Sequence, residues 1–308
     1  MPEIKEHVPL APLTTFGIGG EARWFVDVKT EVDLKEVIVY ARSRNIRFYI
    51  LAGGSNVLLP DEGLNGLVIR ISGSEYVFFE TGLRADAGVN LHGLIKVGAE
   101  RDLGGWERLA GIPGTLGGAV RGNAGAFGSE IKDFVSRVTA LNMNTLETRV
   151  WVPPYLSFSY RDSFFKREAE WIILSATVEL ARVKKEECLK KIEETVAERE
   201  KRHLQNVAAA GSFFMNPVAP SEVIDLFQTE RHMKSREGRV PAGWLIEKAG
   251  LKGATVGGAI ASEQHPNYIV NTGGATAKDV LELAAKIKDE VKKQFNMELR
   301  EEAAVFHN

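Results

Sequence analysis

Two glycine-rich segments carry the clearest chemical signal in this sequence. Residues 104–128 read GGWERLAGIPGTLGGAVRGNAGAFG, and residues 52–56 read AGGSN. Such glycines let main-chain amides approach a flat or phosphorylated ligand, because no Cβ stands in the way. Neither GxGxxG nor GxxxxGKS/T is present, which argues against a dinucleotide fingerprint or a P-loop. Residues 111–118 are predicted to form a nest of amides for a pyrophosphate or for flavin carbonyls. Close-packed turns, and a strand-ending turn at 52–56, are the alternatives.

Four residues in three segments are candidates for proton transfer or anion binding. Ser212 lies in the apolar run AAAGSFFMNPV, which would present its hydroxyl into a pocket unless it only closes a turn. No GxSxG elbow surrounds it, so an acyl-transfer nucleophile is not expected. Arg161, within SFSYRDSFF, suits capture of a carboxylate or phosphate, or else stacks on Tyr160 or pairs with Asp162. Glu301 and Glu302 would face opposite sides of a strand, so strand alternation alone does not decide which one points inward. An edge strand with both carboxylates in solvent is the alternative.

Three further side chains have ordinary alternatives. Trp244 and Lys248 could line a sugar or nucleotide pocket, or could pack around a turn. His265 could contact substrate, or could be a polar loop histidine. The six histidines are scattered without the spacing of a zinc site, so no metal is expected.

Composition narrows the functional classes. The chain has 308 residues, 44% of them hydrophobic and 26% charged, with a net charge of −2. The length suggests about two domains, and the absence of a basic excess argues against nucleic-acid binding. Cys188 is the one cysteine, which suits a reducing compartment. The polar start MPEIKEHVPL and the lack of a long apolar run predict a cytoplasmic protein with no membrane span.

Hydrophobic periodicity predicts three successive groups of elements. The first has a helix at 31–44, capped by Thr30 and Asp33, and strands at 24–28, 47–51 and 67–71. The second has a helix at 90–102 and strands near 135–142, 147–151 and 172–180, and a charged helical stretch follows at 184–203. In the third, Ser221 would cap a short helix, Thr276 would cap a helix at 277–295, and 298–306 reads as strand-like.

Taken together, these segments resemble the family of UDP-N-acetylenolpyruvoylglucosamine reductases (UDP-N-acetylmuramate dehydrogenases), flavoenzymes of peptidoglycan precursor synthesis. The matching segments run in family order over nearly the whole chain: TTFGIGG (14–20), AGGSNVLLPDEGLNGLVI (52–69), GWERLAGIPGTLGGAVRGNAGAFG (105–128), YRDSFF (160–165), AGSFFMNP (210–217), PAGWLIEKAGLKG (241–253), HPNYIVNTGGAT (265–276) and LREEA (299–303).

The resemblance implies an α+β fold with two domains. The first would be a two-lobed FAD-binding domain of the p-cresol methylhydroxylase / vanillyl-alcohol oxidase type at 1–185, with lobes at about 1–70 and 71–185. A C-terminal substrate-binding domain at 204–308 would follow, with its last strand returning to the active site. Because YRDSFFKREAEWIIL runs directly into a strand, the chain resembles the shorter type, which lacks a tyrosine-bearing insertion.

The resemblance also implies a reaction. NADPH would reduce non-covalently bound FAD, and flavin N5 would deliver hydride to C3 of UDP-N-acetylglucosamine enolpyruvate. Ser212 would protonate C2, while Arg161 and a protonated Glu302 would stabilise the negative charge that develops. Asn216 and Arg202 are candidates for contacts to the substrate diphosphate. A monomer without nucleic-acid or membrane partners is expected. The implied cofactor-binding residues are Gly53, Gly54, Ser55, Asn56, Gly111, Gly114, Thr115, Gly118, Asn123 and Gly125.

Several positions depart from the family pattern. Ala52 replaces a usual glycine, Met215 stands where lysine is common, and Asn206 replaces a common proline. Arg121-Gly122 and Glu302-Ala303 also differ from the usual pairs. Two other functions stay open: an oxidase with the same flavin fold, which often carries a covalent flavin, and a non-enzymatic flavin or nucleotide-sugar module.

Overall fold

The computed structural model describes residues 1–202 and 206–308. The helices are α1 Glu31–Ser43, α2 Leu91–Ala99, α3 Leu116–Arg121, α4 Phe164–Arg167, α5 Lys185–Lys201, α6 Ser221–Arg231, α7 Ala242–Lys248 and α8 Ala277–Phe295. The strands are β1 Lys5–Pro9, β2 Glu21–Val28, β3 Phe48–Leu51, β4 Val57–Leu58, β5 Leu64–Ile71, β6 Tyr76–Phe79, β7 Gly82–Asp86, β8 Leu103–Gly104, β9 Gly125–Ala126, β10 Ser129–Glu130, β11 Val135–Asn142, β12 Thr148–Trp151, β13 Trp171–Glu179, β14 Ala181–Arg182, β15 Thr255–Val256, β16 Ala259–Ala261, β17 Ile269–Asn271 and β18 Ala304–Val305.

Packing divides the chain into two units. Unit 1 contains Met1–Val8, Ala22–Gly54 and Leu64–Lys201. Unit 2 contains Pro9–Glu21, Ser55–Gly63 and Arg202–Asn308. Two short N-terminal segments thus pack with the C-terminal part of the chain. The domain limits given above, 1–185 and 204–308, stay a prediction.

The first sheet of unit 1 has the order β1-β2-β5-β3, with β5 parallel to both β2 and β3. Helix α1 begins after the predicted capping box, in which Thr30 Oγ1 accepts a hydrogen bond from the Asp33 amide at 3.1 Å and Asp33 Oδ2 accepts one from the Thr30 amide at 3.2 Å. The predicted apolar stripe of α1 is confirmed as its buried face: Leu34, Val37, Ile38 and Ala41.

The second sheet of unit 1 is antiparallel, with the order β12-β11-β13-β7-β6. A hydrophobic cluster that includes Trp106, Leu116 and Val138 packs residues of this sheet with those of α2, α3 and α5. The predicted helical stretch 184–203 corresponds to α5; its last residue, like the predicted domain start at 204, lies outside the described residues.

Unit 2 is built on the small sheet β15-β16-β17 and the long helix α8. The capping box of α8 is confirmed, since Thr276 Oγ1 accepts from the Asp279 amide at 3.0 Å. Asp61 adds a second cap that the sequence did not indicate, accepting from the Ala277 amide at 2.7 Å. The predicted stripe of α8 is buried: Val280, Leu283, Ala284, Ile287 and Val291.

Two local predictions for unit 2 are wrong. Ser221 is the first residue of α6 and Pro220 is its N-cap, with no side-chain capping bond among the described residues, because proline fixes an extended approach to the helix. Within 298–306 only β18 is a strand, paired in parallel with β4, and Glu301 forms an isolated bridge with Phe214. Within 1–202 and 206–308, no helix is both long and apolar enough to span a bilayer.

Candidate functional site

The two glycine loops touch within unit 1. A Cβ added to Gly53 would lie 2.9 Å from Gly114 Cα and 3.2 Å from the Thr115 nitrogen, so only glycine allows this approach. Gly54 and Gly114 have φ of +62° and +109°, a region that L side chains rarely adopt. Ala52 does not have a positive φ, which explains why alanine is tolerated at the first position of this loop.

The contact between the loops leaves main-chain donors unused. The backbone amides of Gly53, Gly54, Gly114 and Thr115 donate to no acceptor within residues 1–202 and 206–308. Gly54 is buried, and buried amides are nearly always paired in proteins. The donor set therefore fits a ligand that carries several acceptor oxygens, such as a pyrophosphate or a ring with carbonyl groups.

The nest is narrower than the predicted range of 111–118. The amides of Leu116 and Gly117 donate to main-chain carbonyls at 2.9 Å each, and the Gly118 amide donates to Thr115 Oγ1 at 3.4 Å. The Gly111 amide donates to His92 Nδ1 at 3.1 Å. Burial, more than the nearby positive charges, lowers the pKa of His92, which keeps Nδ1 available as an acceptor.

Arg161 is held in a tight turn of unit 1. Its φ is +55°, and Ser159 and Asp162 pair across the turn. Its Nη2 donates to the Gly125 carbonyl at 2.8 Å, while Lys166 Nζ donates to the Arg161 carbonyl at 2.9 Å. These contacts fix both the backbone and the guanidinium of Arg161.

Residues 123–126, which read NAGA, surround the guanidinium of Arg161. Asn123 is fully buried, and its Nδ2 donates to the Ser159 carbonyl at 2.8 Å. A Cβ added to Gly125 would lie 3.2 Å from Arg161 Nη1 and 2.8 Å from Glu130 Cγ, so glycine leaves the space that Arg161 occupies. The sequence suggested stacking as an alternative, and the guanidinium does lie 5.3 Å from the Tyr160 ring centroid.

Ser212 follows Gly211, whose φ is +74°. Directly after it, the Phe213 amide donates to the Asn267 carbonyl at 2.7 Å. The Asn267 side chain pairs with both main-chain groups of Phe214, accepting at 2.9 Å and donating at 2.8 Å. Asn267 is only 3% exposed, so this clamp fixes the chain just beyond Ser212.

Glu302 lies in unit 2 beside Phe213, the residue that follows Ser212. Its amide donates to the Phe213 carbonyl at 2.8 Å, and Asn56 Nδ2 donates to the Glu302 carbonyl at 3.2 Å. The structure thus brings together the Ser212 segment, Glu302 and Asn56. Glu301 differs, because its Oε1 accepts from Lys288 Nζ at 2.9 Å.

The remaining candidates are less central. Asn216 Oδ1 accepts from the Ala242 amide at 2.9 Å and so positions the start of α7. Arg202 is exposed, and its charge helps to lower the pKa of His265 after the larger effect of burial. Trp244 packs in the core, 5.4 Å from Phe227 between ring centroids, which confirms the packing alternative.

Sequence reasoning missed Asn267 and Thr15. Asn267 lies within the quoted HPNYIVN segment, but nothing in a single sequence marks it as the partner of residues more than fifty positions away. Thr15 belongs to TTFGIGG, and its hydroxyl lies 2.7 Å from the Ala209 carbonyl.

Comparisons with known proteins cover both parts of the chain. Residues 22–148 match the family profile described as FAD binding domain. Residues 201–306 match the profile described as UDP-N-acetylenolpyruvoylglucosamine reductase, C-terminal domain. These matches confirm the predicted α+β fold class, with an FAD-binding domain followed by a C-terminal domain.

Relatives that align over most of this chain carry the same family name. A UDP-N-acetylenolpyruvoylglucosamine reductase of Caldanaerobacter subterraneus subsp. tengcongensis is 38% identical over 298 residues, covering 96% of this chain and 91% of the relative. One of Carboxydothermus hydrogenoformans is 37% identical over 304 residues, covering 98% and 93%. The crystal structure of the reductase from Thermus caldophilus aligns with a TM-score of 0.79 at 32% identity and covers 100% of both chains.

Proposed function

The chain belongs to the UDP-N-acetylenolpyruvoylglucosamine reductase family, and we propose that Arg161, Ser212 and Glu302 carry out its reaction. It is an FAD-dependent oxidoreductase of peptidoglycan precursor synthesis, with NADPH as reductant. The proposed product of UDP-N-acetylglucosamine enolpyruvate is UDP-N-acetylmuramate. The observation that carries the residue assignment is the 2.8 Å hydrogen bond from the Glu302 amide to the Phe213 carbonyl, which sets Glu302 beside the Ser212 segment.

When bound, FAD supplies the hydride that C3 of the enolpyruvyl group receives. We assign its pyrophosphate to the loop of Gly53, Gly54, Ser55 and Asn56. The other proposed contacts are Gly111, Gly114, Thr115, Gly118, Asn123 and Gly125. The unused amides of Gly53, Gly54, Gly114 and Thr115 support this assignment, because flavin carbonyls and phosphate oxygens are acceptors.

Ser212 is the proposed proton donor to C2. Addition of hydride at C3 leaves an electron pair on C2 that is delocalised into the adjacent carboxylate. The Ser212 hydroxyl gives its proton to C2, which completes reduction of the C2–C3 double bond. A single positioned proton donor of this kind typically contributes about a hundredfold or more in rate.

Arg161 and Glu302 are the proposed partners of the substrate carboxylate. The hydrogen bond from Arg161 to the Gly125 carbonyl orients the guanidinium before substrate binds, which is the preorganisation that charge stabilisation requires. Glu302 would act as a protonated donor, since an ionised carboxylate would repel the developing charge. The ion pair of Glu301 with Lys288, 2.9 Å long, supports Glu302 rather than Glu301 in this role.

The finer assignments are also proposals. Asn216 and Arg202 are assigned to the diphosphate of the nucleotide. We assign the chain to the shorter type of the family, because YRDSFFKREAEWIIL leaves no room for an insertion. A cytoplasmic location follows from the substrate and NADPH, both of which are drawn from cytoplasmic pools. We propose that the protein acts as a monomer.

A steady-state assay tests the proposal. FAD-loaded protein should oxidise NADPH only when UDP-N-acetylglucosamine enolpyruvate is present. Ser212→Ala should keep FAD and its reduction by NADPH but lose about a hundredfold or more in turnover. Ser221→Ala is the matched control, because Ser221 is the exposed first residue of α6.

Other outcomes point to the other functions. A flavin that survives acid precipitation, together with oxygen consumption on an alcohol or sugar, would favour an oxidase. Bound FAD without NADPH oxidation would favour a binding module. Normal turnover of Ser212→Ala would refute the role of Ser212 alone.

A further inference from the structure

The hydroxyl of Thr15 is hydrogen bonded to the segment that leads into Ser212. Thr15 Oγ1 lies 2.7 Å from the Ala209 carbonyl and 3.3 Å from the Ser55 carbonyl. A hydroxyl has one hydrogen, and 2.7 Å is the usual length of a good O–H···O bond, so the proton points to Ala209. Ala209 is 3% exposed, and a buried carbonyl needs a donor.

The main chain is anchored on both sides of Ser212. Before it, the Ala208 carbonyl accepts from the Asn271 amide at 2.8 Å, next to the Thr15 bond. After it, the Phe213 amide donates to the Asn267 carbonyl at 2.7 Å. Within the described residues, no atom lies within 4 Å of a Cβ added to Gly211, so the space on that side of Gly211 is open. Hydrogen bonds therefore hold the main chain on both sides of Ser212.

Thr15 also lies next to a residue assigned to the cofactor. Ser55, whose carbonyl is the second neighbour of the Thr15 hydroxyl, belongs to the proposed FAD loop. The turn that carries Thr15 is also held in place, because Asn271 Nδ2 donates to the Phe16 carbonyl at 3.1 Å. The Thr15 hydroxyl thus donates to the segment that precedes Ser212 and lies next to the Ser55 carbonyl.

We propose that Thr15 is a positioning residue that sets the Ser212 hydroxyl for protonation of C2. The proposal rests on the proposed function, in which Ser212 is the proton donor. Thr15 itself touches neither substrate nor cofactor in this account. Its loss should therefore slow the proton-transfer half of the reaction and leave the other half unchanged.

Thr15→Val removes the hydroxyl at nearly constant volume, and Thr14→Val is the matched control. Thr14 Oγ1 donates to the Ala11 carbonyl at 3.1 Å and accepts from the Gly17 amide at 3.1 Å, so it only closes a local turn. In Thr15→Val, reduction of bound FAD by NADPH should be unchanged. Reoxidation by UDP-N-acetylglucosamine enolpyruvate should slow about tenfold, with a larger solvent deuterium isotope effect.

Thr15→Ser should restore the wild-type rate and isotope effect, because it restores the hydroxyl. Wild-type reoxidation in Thr15→Val, or an equal loss in Thr14→Val, would overturn the proposal. If Thr15→Val does not fold, Thr15→Ala provides the same test without the second methyl group. Loss of folding in both would assign Thr15 to stability and would also overturn the proposal.

The same experiment separates this inference from the proposed function. If wild-type protein is not reoxidised by the substrate, the proposed function fails. If Ser212→Ala behaves as wild type, only the role assigned to Ser212 fails. If those two behave as proposed and only Thr15→Val is unaffected, this inference alone fails.

Discussion

Gly118→Ala separates the needs of the fold from those of the cofactor. A Cβ at Gly118 would meet nothing closer than Thr115 Oγ1 at 3.6 Å and Ala52 Cβ at 4.0 Å. The residue is exposed and lies in α3. The protein alone therefore has room for a methyl group at the position where the proposed function puts FAD.

Gly118→Ala should change the stability of the apoprotein and its affinity for FAD in opposite directions. Replacing glycine by alanine in a helix stabilises it by about 0.5 kcal/mol, which should raise the melting temperature of the apoprotein by about 1 °C. A methyl group pushed into a close-packed ligand contact costs about 1–3 kcal/mol, which weakens FAD binding by about 5- to 160-fold. Stability of the apoprotein should rise while affinity for FAD falls.

The assay measures thermal unfolding of the apoprotein and then titrates it with FAD. Gly122→Ala is the control that should leave affinity unchanged, since its Cβ would meet only the Gly118 carbonyl at 3.5 Å. Gly117→Ala should lower stability, because its Cβ would lie 2.6 Å from Ala87 Cβ. Unchanged FAD affinity in Gly118→Ala would refute the proposal that Gly118 contacts FAD.

Three further experiments test Glu302, Gly125 and the burial of Cys188. Glu302→Gln should lower the steady-state turnover about tenfold or more, whereas Glu301→Gln should chiefly lower the melting temperature. Equal turnover in the two variants would contradict the assignment of Glu302. Gly125→Ala should lower turnover about 10- to 100-fold even at saturating FAD, because the added methyl displaces Arg161. Retained turnover would contradict this. Burial raises the pKa of the Cys188 thiol to about 12. The folded protein should therefore resist alkylation by iodoacetamide near pH 9.0 and react once it is unfolded. Rapid labelling of the folded protein would contradict the burial of this thiol.

The regular elements of the fold are well predicted because local rules specify them. Thr30 and Thr276 cap helices whose apolar stripes are buried as expected. The prediction for Ser221 failed because proline before a helix can take the N-cap position that serine usually fills. Local propensity does not show which of two adjacent capping candidates the tertiary structure uses.

Long-range pairings lie beyond what one sequence can give. Segments 9–21 and 55–63 pack in unit 2, although their neighbours in sequence pack in unit 1. The clamp of Asn267 on Phe214 and the bond of Thr15 to Ala209 join residues that periodicity cannot connect. The sequence was enough to name the candidate site residues, but it did not identify the groups that hold them in place.

Rapid mixing of NADPH-reduced protein with UDP-N-acetylglucosamine enolpyruvate, without oxygen, tests the central claim most directly. The account predicts that oxidised flavin absorbance returns at once in the wild type, and that Ser212→Ala stays reduced for about a hundredfold longer or more. Wild-type flavin that stays reduced, or reoxidation of Ser212→Ala at the wild-type rate, would contradict it.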